Sequence, residues 1–377
     1  MREENKMKIG TLLVAVGSGV ICLLFALMLV ISVGNPGTSA QVTAVDVGIM
    51  DKYDMFMTNT ISDSLDGILA IEKVYWLDDD DLVAPEPNQA CFGELSDPKD
   101  AKALLERAAD IIGDDKMYFN PDTTVLVPDT IIRYYLDDTI FALTWKEGHD
   151  MSTYCFSEVF IAHPSQFRRF LAGGEYGSEK QFVTTEMAAS VNAVVASSGD
   201  FYRFRNFGTI VYDGKVQRIR SENIDTCYID DKGDLIFNYR GEITDFDEAQ
   251  NFVDENNIRF SVAFGPILVD NYERCEPNNY YLGEINDNYP RAALCQMGEL
   301  HYLLATANGE THYPSTPNIH TFAKNIAATG CEKAYTLDGG QTAVLAMNDQ
   351  LINAVLFGFQ RKISDIIYFA TALPDGG

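Results

Sequence analysis

A β-prone run, Ala334 to Leu337, is interrupted by Asp338, Gly339 and Gly340, and a second β-prone run follows at once. Paired glycines let the backbone take positive φ and let another group approach the main chain closely. The pattern demands a strand on each side of a tight turn and leaves one carboxylate at the end of a rigid strand. A plain Asp-Gly hairpin is the simplest reading; a carboxylate aimed into a cleft is the functional one. β patterns dominate the surrounding chain from about residue 151, with strands expected at 154–162, 193–196, 259–269, 292–305 and 363–370 and an Asp213-Gly214 hairpin within 209–219. Short helices are expected at 184–190 and 318–328, the latter closed by Gly330. Strands with few interspersed helices imply an α+β class with a mixed, strand-rich sheet and a few packed helices.

Upstream, residues 42–150 read as an accessory region before a second domain at 151–377. Their clearest element is a helix over 97–113, with Asp97 at the N-cap, Pro98 in the first turn and Gly113 at the C-terminal cap. The acidic run 78–81 lacks the spacing of a calcium loop and reads as solvated surface. Residues 9–33 contain no charge and suffice to cross a bilayer as a helix. Arg2, Lys6 and Lys8 precede them, so the sequence predicts a cytoplasmic tail (1–8), a single-pass anchor (9–33), a linker (34–41) and a C-terminal part outside the cytoplasm at the cell membrane. A cleaved signal peptide ending near Thr38-Ser39-Ala40 is the alternative.

The 377 residues carry a net charge of −27, which argues against nucleic acid and anionic lipid surfaces as main partners. Of seven cysteines, Cys22 lies in the apolar run, and none of the others forms a CxxC pair. Zinc ribbons are therefore not expected; disulfides or scattered buried thiols both fit. His149, His163, His301, His312 and His320 share no metal-ligand spacing, although His312 or His320 can line a cleft before Asp338. No cofactor is expected, with a divalent metal left open. Nucleophile-elbow, Walker and dinucleotide glycine patterns are absent from the sequence.

Five segments stand in order: Ser198-Gly199-Asp200-Phe201-Tyr202-Arg203, Phe264-Gly265-Pro266, Tyr289-Pro290-Arg291, Asp338-Gly339-Gly340, and Arg361 with Asp365. In this order and spacing, from about 156 to 371, the chain resembles the phosphodiester glycosidase family, most closely its bacterial membrane-anchored members. Phe-Gly-Pro, Pro-Arg, Asp-Gly-Gly and the late Arg match the family pattern. Ser198, Asn308, Thr336, Gln341 and Thr342 stand where other members usually carry Asn, Asp, Asn, Gly and Ser.

The resemblance implies hydrolysis of a sugar-1-phosphodiester at the anomeric carbon, in surface polysaccharide or cell-wall polymer. A phosphate monoester leaves as an anion, which planar arginine forks stabilise. Arg291 and Arg361 take that role, with Arg203 and Arg205 as additions. An oxocarbenium-like state calls for carboxylates, and Asp338 and then Asp200 are the candidates, with Glu186 a weaker one. Asp365 reads as a structural partner of Arg361. Ser198, Gly199, Phe201, Gly339, Gly340 and Thr342 are expected to bind substrate, the glycines by offering N–H donors. The substituted positions keep a rival open: a non-catalytic glycan-binding or cell-envelope assembly protein on the same fold. A transfer of the sugar to another acceptor is a third reading.

Overall fold

Alternation along the strands fixes the architecture, because successive side chains in a strand face opposite sides. The computed structural model describes Leu77, residues 83–112, residues 117–277, Tyr280 and residues 283–373. The expected tail, membrane run, linker, Cys22, the 78–81 run and Gly113 lie outside the described residues. In chain order the elements begin with β1 (Phe92–Leu95), α1 (Ala101–Ile112), β2 (Ile132–Leu136), β3 (Ile140–His149), β4 (Ser152–Ile161), β5 (Phe167–Leu171), α2 (Thr184–Ser190) and β6 (Val195–Ser198). A central stretch follows: β7 (Ile210–Tyr212), β8 (Lys215–Arg218), β9 (Thr226–Asp230), β10 (Leu235–Asn238), α3 (Phe246–Glu255), β11 (Ile258–Val262), β12 (Ile267–Asp270) and β13 (Glu273–Arg274). The last part is β14 (Arg291–Gly298), β15 (His301–Asn308), α4 (Ile319–Ala327), β16 (Lys333–Leu337), β17 (Leu345–Met347), β18 (Gln350–Leu351) and β19 (Asp365–Phe369).

A nine-stranded sheet has the order β1-β2-β3-β4-β15-β14-β16-β12-β13, and a five-stranded sheet the order β18-β17-β6-β19-β5. Smaller sheets are β10-β9-β11 and β7-β8. The class is strand-rich α+β, as expected, but the single mixed sheet is not: there are several sheets, and every strand pair among the described residues is antiparallel. Short hairpin turns join seven of the fifteen pairs, whereas a parallel pair needs a long crossover.

Strands β4 and β15 are buried along their whole length. From β3, Phe141, Leu143 and Trp145 face one core, together with Ile319, Phe322, Ala323 and Ile326 of α4. The intervening Ile140 and Ala142 face a second core with Val195, Leu345, Met347, Ile367 and Phe369 of the five-stranded sheet. The two sheets therefore pack face to face, and Met187 and Ala188 of α2 cover the outer face of the smaller one against Phe170, Ile366 and Tyr368.

Residue 150, the expected boundary, falls in the turn between β3 and β4, where Asp150 and Met151 both take positive φ. Those strands pair from Ile140–Ile161 to His149–Ser152, so β1 to β3 extend the same sheet as the later strands. The strand expected at 259–269 is two, β11 and β12, in different sheets; Phe264-Gly265-Pro266 separates them, with a cis Gly265–Pro266 bond. The Asp338 turn is not a hairpin either: β16 belongs to the nine-stranded sheet and β17 to the five-stranded one, so the turn carries the chain between layers. Cys155, Cys227, Cys295 and Cys331 are buried thiols, and Cys91 and Cys275 are half-buried thiols.

Candidate active site

The ends of β6 and β16, one from each sheet, meet at the edge of the sandwich. The Asp338 N–H donates to the Gly199 carbonyl at 3.1 Å, and Ser198 Oγ donates to the Asp338 carbonyl at 3.5 Å. This seam holds Asp338 over a pocket of about 300 Å³ lined by Phe201, Arg205, Phe264, Tyr289, Arg291 and Arg361, with Gly339 and Gly340 at its edge. A roomier cleft of about 670 Å³ around Arg168, Tyr212 and Arg259 contains none of the expected residues. The smaller pocket is the candidate because the expected carboxylate and arginines converge there.

Asp338 accepts from Arg361 Nη2 at 2.8 Å, the aspartate side chain being 7% exposed and the arginine 40%. Burial pushes the Asp338 carboxyl up to about 6, against the opposing pull of Arg361, the Thr342 hydroxyl, Arg205 and the Gly339 N–H. The guanidinium of Arg361 lies 4.9 Å from the Phe201 ring centre, and that of Arg205 lies 5.3 Å from Phe201 and 4.6 Å from Phe264. Arg291 is buried, and its Nη2 donates to the carbonyls of Ile285 (3.0 Å) and Asp287 (2.6 Å), pinning the loop before β14. Three arginines and one aspartate thus line the pocket, a local positive excess in a chain of net charge −27.

Several expected residues lie elsewhere. Asp200 does not line the pocket: its Oδ2 meets Arg169 Nη2 at 3.0 Å and accepts from the Ala263 N–H at 2.8 Å, while its Oδ1 accepts from the Tyr202 N–H at 2.7 Å. Arg169 also meets Asp365 at 2.8 Å. Asp365 therefore pairs with Arg169, not with Arg361 as the sequence suggested. Burial and the neighbouring Asp200 charge push Asp365 up, although Arg169 opposes this. Arg203 points away, donating to the Ser178 carbonyl at 2.7 Å with Glu179 3.6 Å off. Glu186 sits in the first turn of α2, outside the pocket lining. His312 lines a different cleft with Lys146 and Glu310, and His320 lies 3.6 Å from Glu276.

The Gly199 and Gly340 N–H groups are engaged inside the fold. The Gly199 N–H donates to the Asp365 carbonyl at 3.1 Å and the Gly340 N–H to the Pro290 carbonyl at 2.8 Å. A Cβ on Gly199 would stand 2.0 Å from Asp365 Oδ2, and one on Gly339 would stand 2.6 Å from the Pro290 carbonyl oxygen. Thr342 Oγ1 donates to the Gly339 carbonyl at 2.7 Å and braces the turn. Sequence reasoning missed Arg169. Its signal was there: two arginines interrupt the apolar strand Phe167–Leu171, and a cation in a buried strand needs buried carboxylates. Among the described residues, no group of three His, Cys, Asp or Glu side chains is placed to hold a metal ion.

No curated protein matches the chain. Among solved structures, a hypothetical protein from Synechocystis is 13% identical with a TM-score of 0.49, and the alignment covers 62% of each chain, less than two thirds of that protein's length. The catalytic domain of zebrafish N-acetylglucosamine-1-phosphodiester alpha-N-acetylglucosaminidase, auto-inhibited by its pro-peptide, is 18% identical with a TM-score of 0.49, over 62% of this chain and 83% of that one. Residues 191–370, which include Asp338 and its arginines, match the family model for phosphodiester glycosidase, so this chain carries a domain of the phosphodiester glycosidase family.

Proposed function

We propose that the protein hydrolyses sugar-1-phosphodiester bonds in surface polysaccharide or cell-wall polymer, working outside the cytoplasm from a membrane anchor at residues 9–33. The observation that carries this reading is Asp338, a carboxylate pushed up to about 6 and ion-paired with Arg361 in an arginine-lined pocket of the family-matching segment. Glycoside hydrolysis usually divides work between an acid and a second carboxylate. A phosphate monoester leaves as a stable anion and needs no acid, so one carboxylate suffices. Asp338 takes a proton from water, the water oxygen attacks the anomeric carbon, and the electron pair of the breaking C1–O bond departs with the phosphate. Arg205 and Arg361 receive the phosphate charge, and buried Arg291 adds to the field while holding the 285–290 loop. Phe201 supplies an apolar wall. A base near 6 is ionised at neutral pH and still accepts a proton readily. Asp200, expected as the second catalytic carboxylate, works through Arg169 as a positioning residue for the Gly199–Phe201 backbone.

The test is turnover of a panel of sugar-1-phosphodiesters by the full chain and by Asp338→Asn, with NMR of the released sugar. Loss of at least about a hundredfold in the variant and an inverted anomeric product are expected. Retention would make Asp338 a nucleophile. No turnover by a well-folded wild type would favour the glycan-binding or envelope-assembly role, with the departures at Ser198, Asn308 and Gln341 as its basis.

A further inference from the structure

We propose that Tyr335 is a positioning residue: its hydroxyl holds the Phe264 backbone, Phe264 seats the Arg205 guanidinium, and Arg205 thereby supplies part of the positive field at Asp338; the bearing of this chain on rate rests on the glycosidase reading.

Tyr335 lies three residues before Asp338 on β16, and its side chain is fully buried in the second core. A phenylalanine would fill that core as well, whereas a tyrosine there must find partners for its hydroxyl. It finds two. The Phe264 N–H donates to Tyr335 Oη at 2.9 Å, and the hydroxyl donates to the Asp225 carbonyl at 2.6 Å. Burial holds the Tyr335 phenol well above its ordinary range, so the hydroxyl keeps its proton and both bonds persist.

Asp225 is anchored in turn. Its carboxylate accepts from the Arg240 and Ile267 N–H groups at 3.0 and 3.2 Å, and its own N–H donates to Tyr280 Oη at 2.8 Å. The Thr336 N–H also donates to the Pro266 carbonyl at 3.1 Å. Strand β16 therefore grips the Phe264-Gly265-Pro266 segment twice, once through its backbone and once through the Tyr335 hydroxyl. The second grip is the one at Phe264 itself.

Phe264 lines the pocket, and the Arg205 guanidinium lies 4.6 Å from its ring centre, closer than the 5.3 Å to Phe201. A guanidinium is drawn to the negative face of an aromatic ring, so the position of the ring sets the position of the charge. Asp338 shares the pocket lining with Arg205, Arg291, Arg361 and Tyr289, and the Thr342 hydroxyl and Gly339 N–H reach it from its own turn. Arg205 is one of the groups that pull its carboxyl down. Without the Tyr335 hydroxyl, the buried Phe264 N–H and Asp225 carbonyl lose their shared partner. The Phe264 segment then relaxes, and Arg205 retreats from Asp338.

The experiment titrates Asp338 in the full-length chain by NMR of its carboxyl carbon, assigned by the loss of that signal in Asp338→Asn. Tyr335→Phe should raise the midpoint by on the order of half a pH unit. Phe264→Leu keeps apolar bulk without an aromatic face and should do the same. Tyr302→Phe is the control: it deletes another fully buried hydroxyl, one that donates to the Gly233 carbonyl at 2.8 Å outside the pocket lining. It should lower the melting temperature and leave the midpoint in place. With Arg205→Gln already present, Tyr335→Phe should move the midpoint no further, because the two act in series. Below the inflection, kcat/KM should fall about threefold in Tyr335→Phe. A midpoint unmoved by Tyr335→Phe and Phe264→Leu overturns the positioning role, as does one that Tyr335→Phe moves equally with Arg205→Gln present. If Tyr335→Phe does not fold, Phe264→Leu decides. A midpoint that moves in a chain without turnover sinks the glycosidase reading and leaves the positioning of Arg205 by Tyr335 standing.

Discussion

Two carboxylate–arginine groups lie on either side of the Gly199 backbone, and they have the same chemistry in opposite surroundings. Asp338 and Arg361 form one pair at 2.8 Å, with the arginine 40% exposed and the carboxylate at a pocket. Arg169 bridges Asp200 and Asp365 at 3.0 and 2.8 Å, and all three side chains are fully buried. Sealed from water, the second group can only hold structure: Asp365 and Asp200 accept hydrogen bonds that fix the Gly199–Phe201 segment. Open on one side, the first can exchange its internal partner for a substrate. In the proposed reading, solvent access rather than residue type divides the two roles, reaction at Asp338 and support at Arg169.

The sharpest way to break this comparison is Arg169→Met. Removing the cation leaves two buried carboxylates without their counter-charge, and denaturant unfolding should show a loss of about 3–5 kcal/mol. An unchanged midpoint would mean that the buried cluster is dispensable.

Asp338→Asn should do the reverse. The folded pKa of about 6 exceeds the ordinary 3.8, so the native state binds the proton more tightly than the unfolded chain. The resulting stabilisation is complete below about pH 3.8 and is lost as pH rises through 6. Asparagine does not ionise. The variant should therefore match the wild type near pH 4 and exceed it by about 1–3 kcal/mol near pH 8, while losing turnover. Lower stability at pH 8 would class Asp338 with the buried cluster.

A smaller effect concerns pH and rate. With Asp338 as the base, kcat/KM should rise with pH through about 6. Arg361→Gln removes the charge that holds this carboxyl down, so the inflection should move to higher pH. An inflection that stays in place would detach the rate from Asp338. The smallest expected change is in the stability of the same Arg361→Gln variant, within about 1 kcal/mol, because the arginine, 40% exposed, is screened by water and salt and the buried Asp338 carboxyl can take up a proton instead.

Local signals in the sequence proved dependable where one residue suffices to set the backbone. Asp97 caps the turn before α1, Asn318 caps α4 by accepting from the Thr321 N–H, and α2 spans the expected 184–190. Asp213-Gly214 and Asn348-Asp349 form turns with positive φ at both positions. The site was legible as a set of segments, because Asp338, Arg291, Arg361, Phe201, Gly339 and Gly340 converge on one pocket. Partner choice was not legible. Arg361 is four residues from Asp365 in the chain yet reaches Asp338, and the Gly199 and Gly340 N–H groups serve backbone carbonyls.

By itself the sequence determined the strand-rich class and the caps and turns, since these depend on backbone geometry within a few positions; the residues expected at the site came from the resemblance of five ordered segments to the family. The tertiary structure alone decided that the Asp338 turn crosses between two sheets, that Asp200 is sealed behind Arg169, and that Asp338 faces an open pocket. Those outcomes depend on which distant strands pack together. Burial and solvent access belong to that packing, and with them the charge state and reach of each carboxylate.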